Sequence, residues 1–210
     1  PKVQKKAYEN LANLLVVYEA ADNNGPLHLL RLGNDYDGGY VVPEKACKDA
    51  DLLFGYGIAN DISFEEKFSA TYHKPSYGFD CGIDSFPSKN QYFTFVSQCI
   101  GTDKFLYDKD TSSQNISSFT QQVNKLGLQN QKIFIKMDIE GAEYEAFDDI
   151  LKAASNVTGI VIEIHFIREG EILKAIKLLS ALNKDFLLLH AHGNNYEMYR
   201  SFSAGNVKGL

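Results

Sequence analysis

The chain has 210 residues, with 27 acidic residues against 21 Lys and Arg, and a formal net charge of −6 at pH 7. Apolar residues make up 44% and charged residues 23%, which excludes a disordered chain and is typical of a globular protein. This length fits a single domain over residues 1–210. The acidic balance disfavours nucleic acid as a partner, because binding to phosphate backbones needs a basic face. No apolar run approaches the roughly 20 residues that cross a membrane.

The first 50 residues predict an N-terminal extension made of one helix and a short hairpin. The helix is expected over residues 3–20, where apolar side chains recur on one stripe. The hairpin strands are expected at 27–32 and 39–42, around a turn rich in Asp, Asn and Gly at 34–38.

Residues 51–195 alternate short apolar runs with helical patterns. This alternation indicates an α/β fold with a doubly wound, mainly parallel sheet. Ligands of such sheets bind beyond the carboxyl ends of the strands, near the point where the strand order reverses. Strands are predicted at 52–54, 76–80, 91–98, 132–138, 159–166 and 186–192, and helices at 63–72, 117–126, 142–154 and 169–182.

The three cysteines, Cys47, Cys81 and Cys99, are widely spaced and form no Cys-x-x-Cys pair. Their number is odd, so they indicate neither a zinc knuckle nor a disulfide framework. We therefore expect reduced cysteines and a reducing compartment such as the cytoplasm.

A glycine turn follows the first core strand, in the sequence Phe54-Gly-Tyr-Gly-Ile-Ala-Asn-Asp61. Gly55 and Gly57 allow the backbone to turn tightly and to approach a ligand closely. The motif departs from the dinucleotide fingerprint, because Asn60 stands where the last glycine is required. It is compatible with a nucleoside that lies across the turn, and equally with a strand-to-helix turn that binds nothing.

Asp80 ends the second core strand, about 20 residues beyond Gly57. An acidic residue at this place accepts hydrogen bonds from both ribose hydroxyls in nucleotide-binding folds. By itself Asp80 is also explained as an exposed loop carboxylate. The glycine turn and the acid together predict an adenosine ligand.

Asp138 ends the strand predicted at 132–138, and a second carboxylate, Glu140, follows two residues later. Because an acid at the end of a buried strand needs a partner, Asp138 is a candidate functional residue. Gly141 permits a sharp entry into the next helix. Glu143 lies in the first turn of that helix, where a carboxylate interacts favourably with the helix dipole.

Two later strands carry polar residues two positions apart, Glu163 with His165 and His190 with His192, so that each pair points to one side of its strand. We expect His165 and His192 to meet near Asp138 above the sheet. Such a cluster can supply a general base and a clamp for substrate. A divalent-metal site of Asp138, His165 and His192 is the alternative, although the spacing matches no dedicated metal motif.

The block Lys136-Met-Asp-Ile-Glu-Gly-Ala-Glu143 resembles the signature of the FkbM-type S-adenosylmethionine-dependent methyltransferases. The likeness runs from about residue 31 to residue 195, and Ala59 replaces a third glycine that is frequent in the family's first motif. Further similarity lies in residues 37–42, 54–65, 78–80 and 190–195.

The resemblance implies a class I methyltransferase fold, a mainly parallel seven-stranded sheet whose last strand is antiparallel. Residues 196–210 contain no clear seventh strand, so we expect the last strand to be cut short. The core at 51–195 is expected to bind S-adenosylmethionine. The expected contacts are Gly55 and Gly57 under the methionine part, Asp80 at the ribose, residues 99–101 with Ile100 near the adenine, and Asp138 at the methionine amino group or the reacting centre. Tyr56 and Cys81 are expected to be cofactor-binding residues as well.

The reaction implied by the resemblance is methyl transfer to an oxygen of a small-molecule or glycan acceptor. Asn194 and Asn195 are expected to hydrogen-bond this acceptor. Three alternatives stay open: a metal-dependent hydrolase, an NAD-dependent oxidoreductase, and a non-catalytic domain of the same fold. The sequence does not indicate an oligomeric state. The expected catalytic residues, an imidazole base and the carboxylates that orient it, are Asp138, Glu140, His165 and His192.

Overall fold

The computed structural model describes residues 2–19, 21–22, 25–101, 115–165 and 171–193. The chain divides into two compact units. The larger unit is Leu27–His165, and the smaller unit combines Pro1–Pro26 with Phe166–Leu210. Within the described ranges, every helix is too short or too polar to cross a lipid bilayer.

The elements are numbered in chain order. The helices are α1 (Lys2–Leu14), α2 (Glu44–Asp49), α3 (Ser63–Tyr72), α4 (Phe119–Lys125), α5 (Glu143–Lys152) and α6 (Ile172–Leu182). The strands are β1 (Ala21–Asp22), β2 (Gly25–Pro26), β3 (Leu29–Leu32), β4 (Tyr40–Pro43), β5 (Leu52–Tyr56), β6 (Ser76–Phe79), β7 (Phe93–Val96), β8 (Cys99–Ile100), β9 (Ile116–Ser117), β10 (Ile133–Met137) and β11 (Val157–Ile162).

Five parallel strands form the sheet of the larger unit, in the order β11-β10-β5-β6-β7. The chain starts at the centre with β5, runs outward through β6 and β7, and returns to place β10 and β11 on the other side. The strand order therefore reverses between β5 and β10, where sheets of this class bind ligands. The predicted α/β, Rossmann-like fold with a parallel sheet is confirmed.

The register of the sheet aligns the ends of its three middle strands. Tyr56 pairs with Met137 on one side and with Phe79 on the other. The residues that follow these strands therefore leave the sheet at one edge, as parallel strands require. This edge is where the glycine turn, Asp80 and Asp138 lie.

The core of the larger unit is dominated by aromatic rings. All residues of β5 and β10 are buried, as expected for strands covered on both faces. Phe54 is fully buried, and its ring centre lies 4.8–6.1 Å from those of four neighbours. These neighbours are Tyr56, Tyr77, Phe79 and Phe119.

The hairpin predicted near the N-terminus of the larger unit is formed by β3 and β4, which pair antiparallel. Arg31 stabilises its turn, because the guanidinium donates hydrogen bonds to the carbonyls of Tyr36 at 2.6 Å and Asn34 at 3.1 Å. Tyr40 and Val42 of β4 are buried. The hairpin thus anchors Tyr40 in the core, directly after its turn.

The smaller unit corrects two sequence predictions. The first helix ends at Leu14 rather than residue 20, because Val16 and Val17 are β-branched and disfavour helix, and both are about half exposed. Residues 186–193 form no strand, so the strand predicted at 186–192 was wrong. The carbonyl of Leu188 instead accepts a hydrogen bond from the amide of Tyr18 at 2.8 Å. A short apolar run does not by itself distinguish a strand from an irregular segment.

A disulfide joins Cys81, just after β6, to Cys99 in β8, and Cys47 is a buried free thiol. The Cα atoms of the pair are 4.9 Å apart, although 18 positions separate them in the chain. The expectation of reduced cysteines was therefore wrong. Neither the odd count nor the wide spacing of the cysteines reveals that the fold brings two of them together.

Replacing Phe54 with Ala should lower the free energy of unfolding by about 3–5 kcal/mol, because the change leaves a cavity among four aromatic rings. Denaturant unfolding followed by circular dichroism measures this loss. The control is Leu173→Ala, at a side chain that is 67% exposed, which should change stability by less than about 0.5 kcal/mol. Equal effects of the two changes would contradict the packing described for Phe54.

Alkylation in denaturant without reductant should modify one thiol per chain, because Cys47 alone is free, and all three cysteines after reduction. Intact mass spectrometry counts the added groups. In the control variant Cys47→Ser, no group should be added before reduction. Three modified thiols in the unreduced wild-type chain would show that the disulfide is absent.

Candidate functional site

The turn after β5 has the backbone conformation that its glycines favour. Gly57 has a φ of +70°, and a Cβ there would collide with the carbonyl oxygen of Asp138. Ala59 also lies in the left-handed region with a φ of +42°, a conformation that costs a non-glycine residue about 1–2 kcal/mol. Ala59 therefore adopts a backbone conformation that normally favours glycine.

Asp80 connects this turn to the one that follows β6. Its Oδ2 accepts a hydrogen bond from the amide of Ala59 at 2.8 Å, and its Oδ1 accepts one from the amide of Gly82 at 2.7 Å. Each carboxylate oxygen can still accept a second hydrogen bond. This half-buried acid beside the glycine turn fits the expected ribose contact.

The disulfide brings Cys81 next to β8, where Ile100 is buried. Below them, Gln122 donates to the carbonyl of Cys99 at 3.2 Å and accepts from the hydroxyl of Tyr56 at 2.8 Å. The Tyr56 ring is therefore part of the core. It supports the turn from inside, and the expected contact of Tyr56 with the cofactor stays a prediction.

The position of Glu65 is one reason why residue 55 is a glycine. The Glu65 side chain is buried, and a Cβ on Gly55 would collide with its carboxylate. Burial raises the pKa of Glu65, and the charge of Lys136 opposes this shift. In the sequence, Glu65 is one of two adjacent acids in the first turn of a predicted helix. Nothing in that pattern indicates that its side chain is buried.

A group of ionisable side chains, here termed the Asp138 cluster, lies at the ends of β10 and β11. Its centre is Nε2 of His165, which lies 3.7 Å from Oδ1 of Asp138, 3.6 Å from Oε2 of Glu140 and 3.9 Å from Oε1 of Glu163. The structure thus brings His165 to Asp138, and Glu163 points to the same side as His165. The Asp138 cluster consists of Asp138, Glu140, Glu143, Glu163 and His165.

Glu143 holds the opposite side of the imidazole. Its Oε1 lies 2.8 Å from Nδ1 of His165 and accepts hydrogen bonds from the amides of Ile139 and Gly141. The Glu143 side chain is completely buried. The helix-dipole interaction expected from the sequence is therefore only part of its role, because Glu143 also contacts His165. Glu143 fixes the ring so that Nε2 faces the other three carboxylates.

The carboxylates change the proton affinity of His165. Burial by itself lowers the pKa of this imidazole. The hydrogen bond and charge of Glu143, together with the charges of Glu140 and Asp138, outweigh burial and raise the pKa to about 9. Near pH 7, and with no other cation bound, the ring is therefore an imidazolium.

Tyr40 contacts the cluster although it had no assigned role in the sequence analysis. Its hydroxyl donates a hydrogen bond to Oδ2 of Asp138 at 2.8 Å. Burial, followed by the charge and hydrogen bond of Asp138, raises the Tyr40 pKa far above its usual value. Tyr40 therefore stays protonated and orients Asp138. In the sequence, only its place in the Gly-Gly-Tyr stretch at 38–40 pointed to such a role.

Lys136 is a second basic residue beside Asp138, in addition to His165. Its Nζ lies 4.0 Å from Oδ2 of Asp138, 5.5 Å from the centre of the Tyr40 ring, and donates to the carbonyl of Gly57 at 3.1 Å. The residue is 5% exposed. Lys136 thus links the glycine turn to the Asp138 cluster. The sequence indicated only that Lys136 begins the motif at 136–143 and did not predict these contacts.

His190 and His192 belong to the smaller unit. Nε2 of His190 lies 3.1 Å from Nδ1 of His192, and burial together with the charge of His192 lowers the His190 pKa. The expected meeting of His192 with His165 stays a prediction. Asn194 and Asn195 lie outside the described residues.

An open cleft of about 570 Å³ lies in the larger unit, beside the turn that leads into α3. Its walls are mostly polar and include Asn60 and Asp61 on one side and residues 86–89 on the other. None of the lining residues belongs to the Asp138 cluster.

Comparison with known proteins identifies the family. The model of the family described as "Methyltransferase FkbM domain" matches residues 27–196. Neither the curated proteins nor the solved structures gave a match. The matched range contains the glycine turn, Asp80 and the whole Asp138 cluster. The resemblance inferred from the block at 136–143 is confirmed, and the chain belongs to the FkbM methyltransferase family.

Proposed function

We propose that the protein transfers a methyl group from S-adenosylmethionine to an oxygen of a small-molecule or glycan acceptor. The observation that carries this proposal is the pairing of Asp80 with the amide of Ala59. This contact places a carboxylate that can accept hydrogen bonds beside the glycine turn. The chain also belongs to a family of methyltransferases. Membership in the family supports methyl transfer in general, and the nature of the acceptor is part of the proposal.

The residues of the larger unit fit an adenosyl ligand. The turn at 55–59 leaves its backbone open to close approach, and Asp80 retains acceptor capacity for two hydroxyls. When bound, S-adenosylmethionine supplies an electrophilic methyl group on a sulfonium that leaves as a thioether. The main task of the protein is to position the acceptor oxygen in line with that methyl group.

An oxygen acceptor must also lose a proton, and a positioned base typically contributes about 10²–10⁴-fold to the rate. His165 and His192 are the proposed imidazoles, with Asp138 and Glu140 as the carboxylates beside His165. Because the pKa of His165 is raised to about 9, the role of base falls first to His192. Asn194 and Asn195 are proposed to hold the acceptor.

Replacing Asp80 with Asn should weaken the binding of S-adenosylhomocysteine about 10–100-fold, because hydrogen bonds to a charged group contribute about 1.5–3 kcal/mol. Isothermal titration calorimetry measures the affinity. The matched control is Asp84→Asn, an exposed acid in the same segment, which should bind like the wild type.

Two results of this titration would overturn the proposal. One is unchanged affinity in the Asp80 variant. The other is wild-type protein that binds NAD and not S-adenosylhomocysteine, which would favour an oxidoreductase, or that binds neither, which would favour a non-catalytic domain. A thermal melt of each variant checks that the fold is retained.

Replacing His192 with Ala should lower kcat at least about 100-fold and leave affinity for S-adenosylhomocysteine within about twofold, because a base acts on the acceptor and not on the cofactor. A product-mass screen against glycans and small alcohols first identifies the acceptor. The control is His28→Ala, whose exposed ring lies 3.5 Å from Glu44. Full turnover by the His192 variant would remove His192 from this role.

A further inference from the structure

We propose that the Asp138 cluster is a divalent-cation site with Asp138, Glu163 and His165 as ligands. Glu140 completes the set from the solvent side, where its side chain is 83% exposed. The sequence alternative named His192 as the third ligand, whereas the present proposal assigns Glu163, which lies 3.9 Å from Nε2 of His165. Asp80, the expected ribose contact, is not part of the cation site, whereas Asp138 is also the residue expected at the methionine amino group or the reacting centre.

The first support is the spacing of the donor atoms. One donor atom from each of the three ligands lies within 4.8 Å of the other two. Nε2 of His165 is 3.6–3.9 Å from a carboxylate oxygen on three residues, which is longer than a hydrogen bond. Ligands that bind one ion at about 2.0–2.2 Å lie roughly 3–4 Å apart. The gap around Nε2 therefore has the width of one coordinated ion.

The second support is the way in which the ligands are held. Glu143 binds Nδ1 of His165, the arrangement by which carboxylates orient metal-binding imidazoles. This carboxylate is completely buried, and its Oε2 has no hydrogen-bond partner among the described residues. Tyr40 fixes Asp138 in a similar way through Oδ2 and leaves Oδ1 toward His165. Both ligands are thus oriented by a second group before any ion binds.

The third support is charge. Four carboxylates of the cluster face two basic side chains, the His165 ring and Lys136, whose Nζ is 4.0 Å from Oδ2 of Asp138. Because four carboxylates face only two basic groups, a divalent ion offsets negative charge that remains in excess.

The donor set indicates the class of ion. Carboxylate oxygens suit Mg²⁺ and Mn²⁺, and an imidazole nitrogen in the same set favours Mn²⁺ over Mg²⁺. An ion held by three or four protein atoms keeps positions open for an oxygen of the acceptor. It would hold that hydroxyl and make its proton easier to remove. This role rests on the proposed function, whereas binding of the ion does not.

The test is a titration of the EDTA-treated full chain with Mn²⁺, in which electron paramagnetic resonance measures the free ion. We expect one saturable site per chain. Glu163→Gln should weaken binding at least about 10-fold, the loss that even outer-shell changes cause. The matched control is Glu145→Gln, an exposed carboxylate on α5 outside the cluster, which should bind Mn²⁺ like the wild type.

The wild-type chain provides a second readout that does not depend on the folding of a variant. Substoichiometric Mn²⁺ should broaden the NMR signals of the His165 ring before those of the other four histidines. Absence of a saturable site, equal affinity of wild type and the Glu163 variant, or earlier broadening at another histidine would each overturn the proposal.

Binding of S-adenosylhomocysteine separates the two proposals. The Glu163 variant should bind it with wild-type affinity, because Asp80 is unchanged. Mn²⁺ binding without S-adenosylhomocysteine binding would overturn the proposed function and leave the cation site standing. The reverse result would overturn the cation site alone.

Discussion

The alignment of three strand ends is the constraint on which the site depends. Backbone hydrogen bonds from Gly57 to Phe79 and from Asp138 to Tyr56 continue the sheet by one step beyond its last paired residues. A shift of one residue in any of these strands would turn its side chains to the opposite face. The glycine turn, Asp80 and Asp138 are therefore neighbours because buried aromatic and aliphatic side chains fix the register.

The chemical properties of the carboxyl edge of the sheet depend on the burial of two acidic residues, Asp138 and Glu143. Asp138 and Glu143 lie where an isolated carboxylate would be unfavourable, and each has a specific donor. Tyr40 donates to Asp138, and the His165 ring and two backbone amides contact Glu143. These contacts hold His165 in one orientation, so that the cluster is organised in the absence of any ligand.

Sequence patterns predicted the fold well because they report on local periodicity. The five parallel strands and the hairpin follow from apolar runs and turn residues, and Asp138 was identifiable as an acid at the end of a buried strand. The roles of Glu65 and Glu143 were not predictable, since both depend on partners that are distant in the chain or on burial. The same holds for the pairing of Cys81 with Cys99, which only the fold brings into range.

The disulfide also has a consequence for the cleft wall at 86–89. This wall lies inside the covalent loop closed by Cys81 and Cys99, and closing a loop of this length removes about 3 kcal/mol of chain entropy from the unfolded state. Because the crosslink anchors both ends, the intervening residues are free to vary without loosening the frame. Substitutions at 86–89 are therefore expected to reshape this wall of the cleft with little loss of stability.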